Sequence, residues 1–140
     1  MLKILPIQSK AEQELDCSRC HVKYRENALA YAASVDDIFI GICQFRTVGE
    51  LGEIYDLTLI PGKQDFEALF LMGRAALNFI DLCGVHKAIF LSENKDETLL
   101  KAIGFSENQS GVFEMNLTDF FEHPCQRHCE NEKQSQKEKN

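Results

Sequence analysis

The chain has 140 residues, 44% of them hydrophobic and 26% charged, with a formal net charge of −7, which suits one soluble domain with a single core. That acidic balance argues against nucleic acid and against anionic membranes as partners, because both repel a negative surface. No stretch reaches the ~20 apolar residues of a bilayer span, and the apolar start at residues 1–6 is too short for a signal peptide, so a cytoplasmic location is expected.

Residues 1–27 read as a short N-terminal segment in which Ser9 caps a helix through Leu15. Cys17-Ser18-Arg19-Cys20-His21 interrupts it. Residues 28–122 form the core domain. Within it, residues 28–35 and 38–45 are strands rich in β-branched, aromatic and small residues, joined at Asp36-Asp37 into a hairpin. Gly49 and Gly52 bracket the next turn. Residues 53–60 make a third strand, ended by Pro61-Gly62 because proline cannot donate to a ladder.

The spacing of Phe66, Leu69, Phe70, Gly73, Leu77 and Ile80 predicts a helix over Phe66–Leu82, with Glu67, Arg74, Asn78 and Asp81 on its other side. Asp65 is its expected N-cap and Gly84 its C-terminal glycine. Residues 86–92 form a short buried strand, parallel to the third because a helix connects the two. Asn94 caps a second helix, with Glu97 completing a capping box, and Gly104-Phe105 ends it by folding back on Leu100. Residues 112–117 are the last strand. Residues 123–140 hold a Cys/His segment and a polar tail that is too hydrophilic to build a core.

The order hairpin, strand, long helix, strand, short helix ending in Gly-Phe, strand resembles the GNAT superfamily of acyl-CoA-dependent N-acetyltransferases. Its anchors are Glu53-Ile54-Tyr55-Asp56-Leu57-Thr58-Leu59-Ile60-Pro61, the run from Ala75 to Gly84, and Leu99 to Phe105. The fold class it implies is an α/β mixed sheet of the GNAT type. Acetyl-CoA is the implied co-substrate, its pantetheine arm lying in a gap between parted strands. Its pyrophosphate would rest on the loop 61–68, where Lys63, Gln64, Phe66 and Ala68 occupy the family's phosphate-loop positions. Backbone N–H groups around Leu57 and Leu59 are the implied oxyanion donors, Glu53 the implied general base, and Asn94 an implied cofactor contact.

The sequence departs from the family in two places. Phe66 stands where the loop's middle glycine belongs, flanked by Asp65 and Glu67, and Leu100 stands where a tyrosine acid is usual. A non-catalytic descendant that binds a ligand, partner or metal is therefore the alternative expectation to an enzyme acting on a small-molecule amine or peptide. A homodimer is a further expectation.

Six cysteines without an export signal suggest thiols or metal ligands rather than disulfides. Cys17-x-x-Cys20 and Cys125-x-x-x-Cys129 together offer four thiolates, the number a structural zinc takes. Cys43 and Cys83 lie in apolar segments and read as core residues.

Overall fold

A computed structural model of the chain describes residues 1–118. The polar tail, Cys125 and Cys129 lie outside the described residues. A seven-stranded mixed sheet runs in the order β1-β2-β3-β4-β5-β7-β6. In chain order its strands are β1 (Leu2–Pro6), β2 (Leu29–Val35), β3 (Ile38–Val48), β4 (Leu51–Leu59), β5 (Lys87–Phe90), β6 (Ser106–Glu107) and β7 (Phe113–Asn116). Three helices accompany it: α1 (Lys10–Arg19), α2 (Phe66–Leu82) and α3 (Glu97–Ile103). Among the described residues no helix is long and apolar enough to cross a membrane.

The hairpin forms as expected, with Asp36 and Asp37 at φ 53° and 68°. Two successive left-handed residues match the twist of the flanking strands, and Asp tolerates that region better than most residues. β1 was not foreseen. It adds antiparallel to β2 as an edge strand, where Pro6 is tolerated. α1 also runs further than expected. Ser9 caps it by accepting from the Glu12 N–H, but the helix continues through Cys17 to Arg19. Burying Cys17 and Cys20 against Ala30 and Ile42 offsets the modest helix propensity of that segment.

α2 spans the expected residues, capped by Asp65, and Gly84 takes φ 86° just past its end. Its buried face is rotated from the expected one: Ala68, Met72, Gly73, Ala76, Leu77 and Ile80 are covered, and Phe66 is 50% exposed. Phe66 is the first residue of α2, and the buried face of the helix begins two residues later at Ala68. Arg74, expected in solvent, donates from Nε to the Ile103 carbonyl at 2.9 Å and ties α2 to α3. Asp96, not Asn94, caps α3, accepting from the Leu99 N–H at 3.2 Å. The helix stops as expected, with the Phe105 N–H on the Leu100 carbonyl at 2.9 Å. Cys43 is core, but Cys83 is exposed at the end of α2.

The close approach of β3 to β4 is set by Gly41. A β-carbon there would lie 2.7 Å from the Thr58 carbonyl oxygen and 2.5 Å from Leu59 Cδ2. The side chain can move; the backbone oxygen cannot move cheaply. Gly41→Ala should therefore lose ~1–3 kcal/mol of stability, measurable by urea denaturation; a loss below ~0.5 kcal/mol would contradict this packing.

Candidate active site

Two irregularities in the centre of the sheet create the site. The first is a bulge. Gln44 pairs with Asp56 and Phe45 with Ile54, leaving Tyr55 as an extra residue on β4. Before it, Gly52 and Ile54 face the α2 side; after it, Leu57 and Leu59 do. The second is a parting of strands. β4 pairs with β5 only from Gly52–Ala88 to Ile54–Phe90, closed by the Leu91 N–H on the Ile54 carbonyl at 2.9 Å. From Tyr55 onward no described strand pairs with β4 on that side.

The two features act together. The Ile60 N–H donates to the Ile40 carbonyl on β3 at 2.8 Å, so by alternation Thr58 and Asp56 also turn their peptide groups toward β3. Leu57 and Leu59 turn theirs the other way, into the gap. A cleft of about 530 Å³ lies there, walled by the end of β4, the loop into α2, Phe90 and the start of α3. Leu57, Leu59, Lys63, Gln64, Phe66 and Asn94 all line it. Ala68 does not; it is wholly buried beneath. Lys95 and Asp96 line it as well and were not singled out from sequence.

The N-terminus of α2 opens on this cleft, and a helix start favours an anion. Here the chain supplies its own. The Asp65 carboxylate accepts from the Ala68 N–H at 3.0 Å, occupying one of the free donors with a negative charge. A pyrophosphate placed there in the family's manner would meet that charge at short range. The gap between the parted strands is open, but the Asp65 carboxylate makes the start of α2 a poor seat for a phosphate. Lys63 and Lys95, both on the cleft wall, are the cations left to offset the repulsion.

On the sheet's other face, next to the point where the strands part, Tyr55 donates to Glu53 Oε1 at 2.6 Å. Burial first, then the Glu53 carboxylate, pushes the Tyr55 phenol up to about 12. It is therefore a weaker acid than an ordinary thiol near 8.5 and serves as a fixed donor. Arg25 stacks over the Tyr55 ring, 4.4 Å from its centre. Beside them lies a buried polar network. Gln44, wholly buried, accepts from Gln13 Nε2 at 2.9 Å and from the Arg25 N–H at 3.0 Å. Its Nε2 donates to the Lys23 carbonyl at 2.8 Å and to Asp56 Oδ2 at 2.6 Å. Burial holds the Asp56 carboxyl above its usual range, against the opposing pull of Gln44 and Arg25.

No family model and no curated protein sequence matches the chain. Solved structures do. The ribosomal-protein-S18-alanine N-acetyltransferase of Escherichia coli superposes with a TM-score of 0.64 at 12% identity, covering 84% of this chain and 94% of that one. A GNAT family acetyltransferase from Brucella melitensis, in complex with acetyl-CoA, gives 0.63 at 14% identity, over 83% and 88%. N-acetylglutamate synthase from Neisseria gonorrhoeae, complexed with coenzyme A and L-arginine, gives 0.67 at 16% identity, over 83% of this chain and 33% of that one. The chain has the GNAT acetyltransferase fold.

Within the GNAT fold Cys17, Cys20 and Cys43 are packing residues. Cys17 and Cys20 are buried, and burial raises their thiols to about 11 and about 12. Burial favours the neutral thiol at both positions. Among the described residues no group of three or more His, Cys, Asp or Glu is placed to hold a metal ion. The expected zinc site thus finds no support at its N-terminal half; Cys125 and Cys129 lie outside the described residues.

Proposed function

We propose that the chain is an acyl-CoA-dependent N-acetyltransferase, moving an acetyl group from acetyl-CoA to an amine. One observation carries this reading: β4 and β5 part at a bulge that turns the Leu57 and Leu59 peptide groups into an open cleft, with Glu53 one strand position before the parting. Acetyl-CoA supplies the thioester. The N–H groups of Leu57 and Leu59 offer donors to a carbonyl oxygen in the cleft, in a place where such donors are preorganised. Glu53, oriented by Tyr55, accepts the proton of the incoming ammonium through water. Leu100 donates nothing, and Tyr55 at about 12 holds its proton, so solvent protonates the leaving thiolate.

The test is thermal. At ~100 times its Kd, acetyl-CoA should stabilise the fold by ~2.7 kcal/mol, read as a rise in Tm. No rise at millimolar acetyl-CoA would refute the reading. Asp65→Ser keeps a capping oxygen and removes the charge, and should tighten acetyl-CoA by ~2- to 5-fold, the weight of one charge at a helix start. Unchanged or weaker binding in that variant would mean that the phosphates sit elsewhere.

A second reading, a GNAT-fold protein without catalysis, is favoured by Asp65 on the phosphate seat and by Leu100 at the acid position. It predicts no acetyl-CoA stabilisation in the wild type.

A further inference from the structure

The loop from α1 to β2 forms, with β3 and Tyr55, a second hollow of about 260 Å³ beside the Glu53–Tyr55 pair. In a chain of net charge −7, this hollow has the opposite sign: Lys23, Arg25 and Arg46 line it against the single carboxylate of Glu26. Arg46 stands directly across the β3–β4 ladder from Glu53, and Arg25 lies on the face of the same tyrosine whose hydroxyl holds Glu53. Among the described residues, the Lys23 and Arg46 side chains have no ion-pair or hydrogen-bond partner.

The backbone that carries Lys23 and Arg25 is also held in place. Gln44 grips the loop at the Lys23 carbonyl and the Arg25 N–H, and Gln13 Nε2 donates to the Arg25 carbonyl at 3.3 Å. A loop pinned at two successive cationic positions loses little freedom when it takes up an anion, so more of the attraction is kept as affinity. Guanidinium groups suit a carboxylate, which they meet with paired N–H donors.

We propose that this hollow is the acceptor's anion subsite, so that the amine substrate also carries a carboxylate, as a free amino acid does. The proposal rests on the acetyltransferase reading for its use, though not for its binding. The amine end lies toward Glu53 and the carboxylate toward Arg25 and Arg46, with the Tyr55 ring between. A volume under the ~300–1,000 Å³ of drug-sized pockets suits a small acceptor.

The experiment titrates the full chain, without acetyl-CoA, with a panel of ordinary amino acids as free acids and as α-carboxamides, following backbone amide shifts by NMR. At least one free acid should bind ~10-fold or more tightly than its carboxamide, a difference of ~1.4 kcal/mol. The doubly substituted Arg25→Gln, Arg46→Gln chain, its melting curve checked for an intact fold, should lose that preference. Equal binding of acids and carboxamides, no binding by any acid, or an unchanged preference in the double variant would each overturn the subsite. Acid-selective binding in a protein that acetyl-CoA fails to stabilise leaves the subsite standing and removes only the enzyme. Acetyl transfer to carboxamides as fast as to acids does the reverse.

Discussion

Glu53→Gln should lower kcat by ~10²- to 10⁴-fold, the usual contribution of a positioned base, while leaving the affinity for acetyl-CoA unchanged. The substitution keeps the shape of the side chain and an oxygen for the Tyr55 hydroxyl, which sits 2.6 Å away, so the local structure persists. Only proton acceptance is lost. The pH profile gives the sign: an α-amine deprotonates by itself near ~8. The deficit should therefore be largest at neutral pH and shrink as pH rises and solution supplies the free amine. A deficit below ~3-fold at neutral pH, or one that does not shrink in base, would assign the base to another group. Steady-state rates with the best acceptor from the amino-acid panel provide the measurement.

Gln44→Ala should be the most damaging polar substitution to stability. Its amide joins Gln13, Lys23, Arg25 and Asp56 in a wholly buried position. Truncation leaves several of these groups without a partner and opens a cavity, each at a cost of ~1–3 kcal/mol. A combined loss of ~3–5 kcal/mol is expected, a fall in Tm of roughly 10 °C or more. Burial raises Asp56 and the Gln44 donor opposes that rise, so the variant should raise it further. In acid, below the usual carboxylate range, Asp56 is protonated whether folded or not and the deficit is smallest. It widens as pH climbs and the folded chain must bury an ionised Asp56 without its donor. A pH-independent loss below ~1 kcal/mol would mean that water replaces the amide.

The sequence made local features legible. Asp65 and Gly84 punctuate α2 because a cap and a left-handed stop are decided within a few residues. Asp36-Asp37 fixed the hairpin in the same way. Features that depend on distant contacts were not legible. β1 is short and ends in proline, and only its pairing with β2 makes it a strand. Asn94 followed by Glu97 reads as a capping box, but the chain bends through Asn94, where its N–H meets Ser92 Oγ, and Asp96 takes the role. The α1–β2 loop carries no motif; its cations gain meaning only when the sheet brings Glu53 and Tyr55 beside them.

For the candidate site, Leu57, Leu59, Lys63, Gln64, Phe66 and Asn94 were named from resemblance and all fall on one cleft. Their roles stay with the experiments above. Gln44 was missed although it carried a signal, a large amide inside the apolar run 38–45 of β3. The bulge carried one too. Apolar positions of β4 change from even to odd numbers between Ile54 and Leu57, and that change of phase marks the inserted residue.

Tyr55 thus divides β4 into two segments that read the sheet in opposite registers. Deleting that one residue would remove the bulge and leave a regular ladder, because Ile54 and Asp56 already pair with the neighbours Phe45 and Gln44. Leu57 and Leu59 would keep their places on the core and Asp56 its place beside Gln44. The loss would fall on Glu53, whose hydroxyl donor goes with the ring, and on Arg25, which stacks on it. The bulge is thus a point where β4 can change length without exchanging its faces.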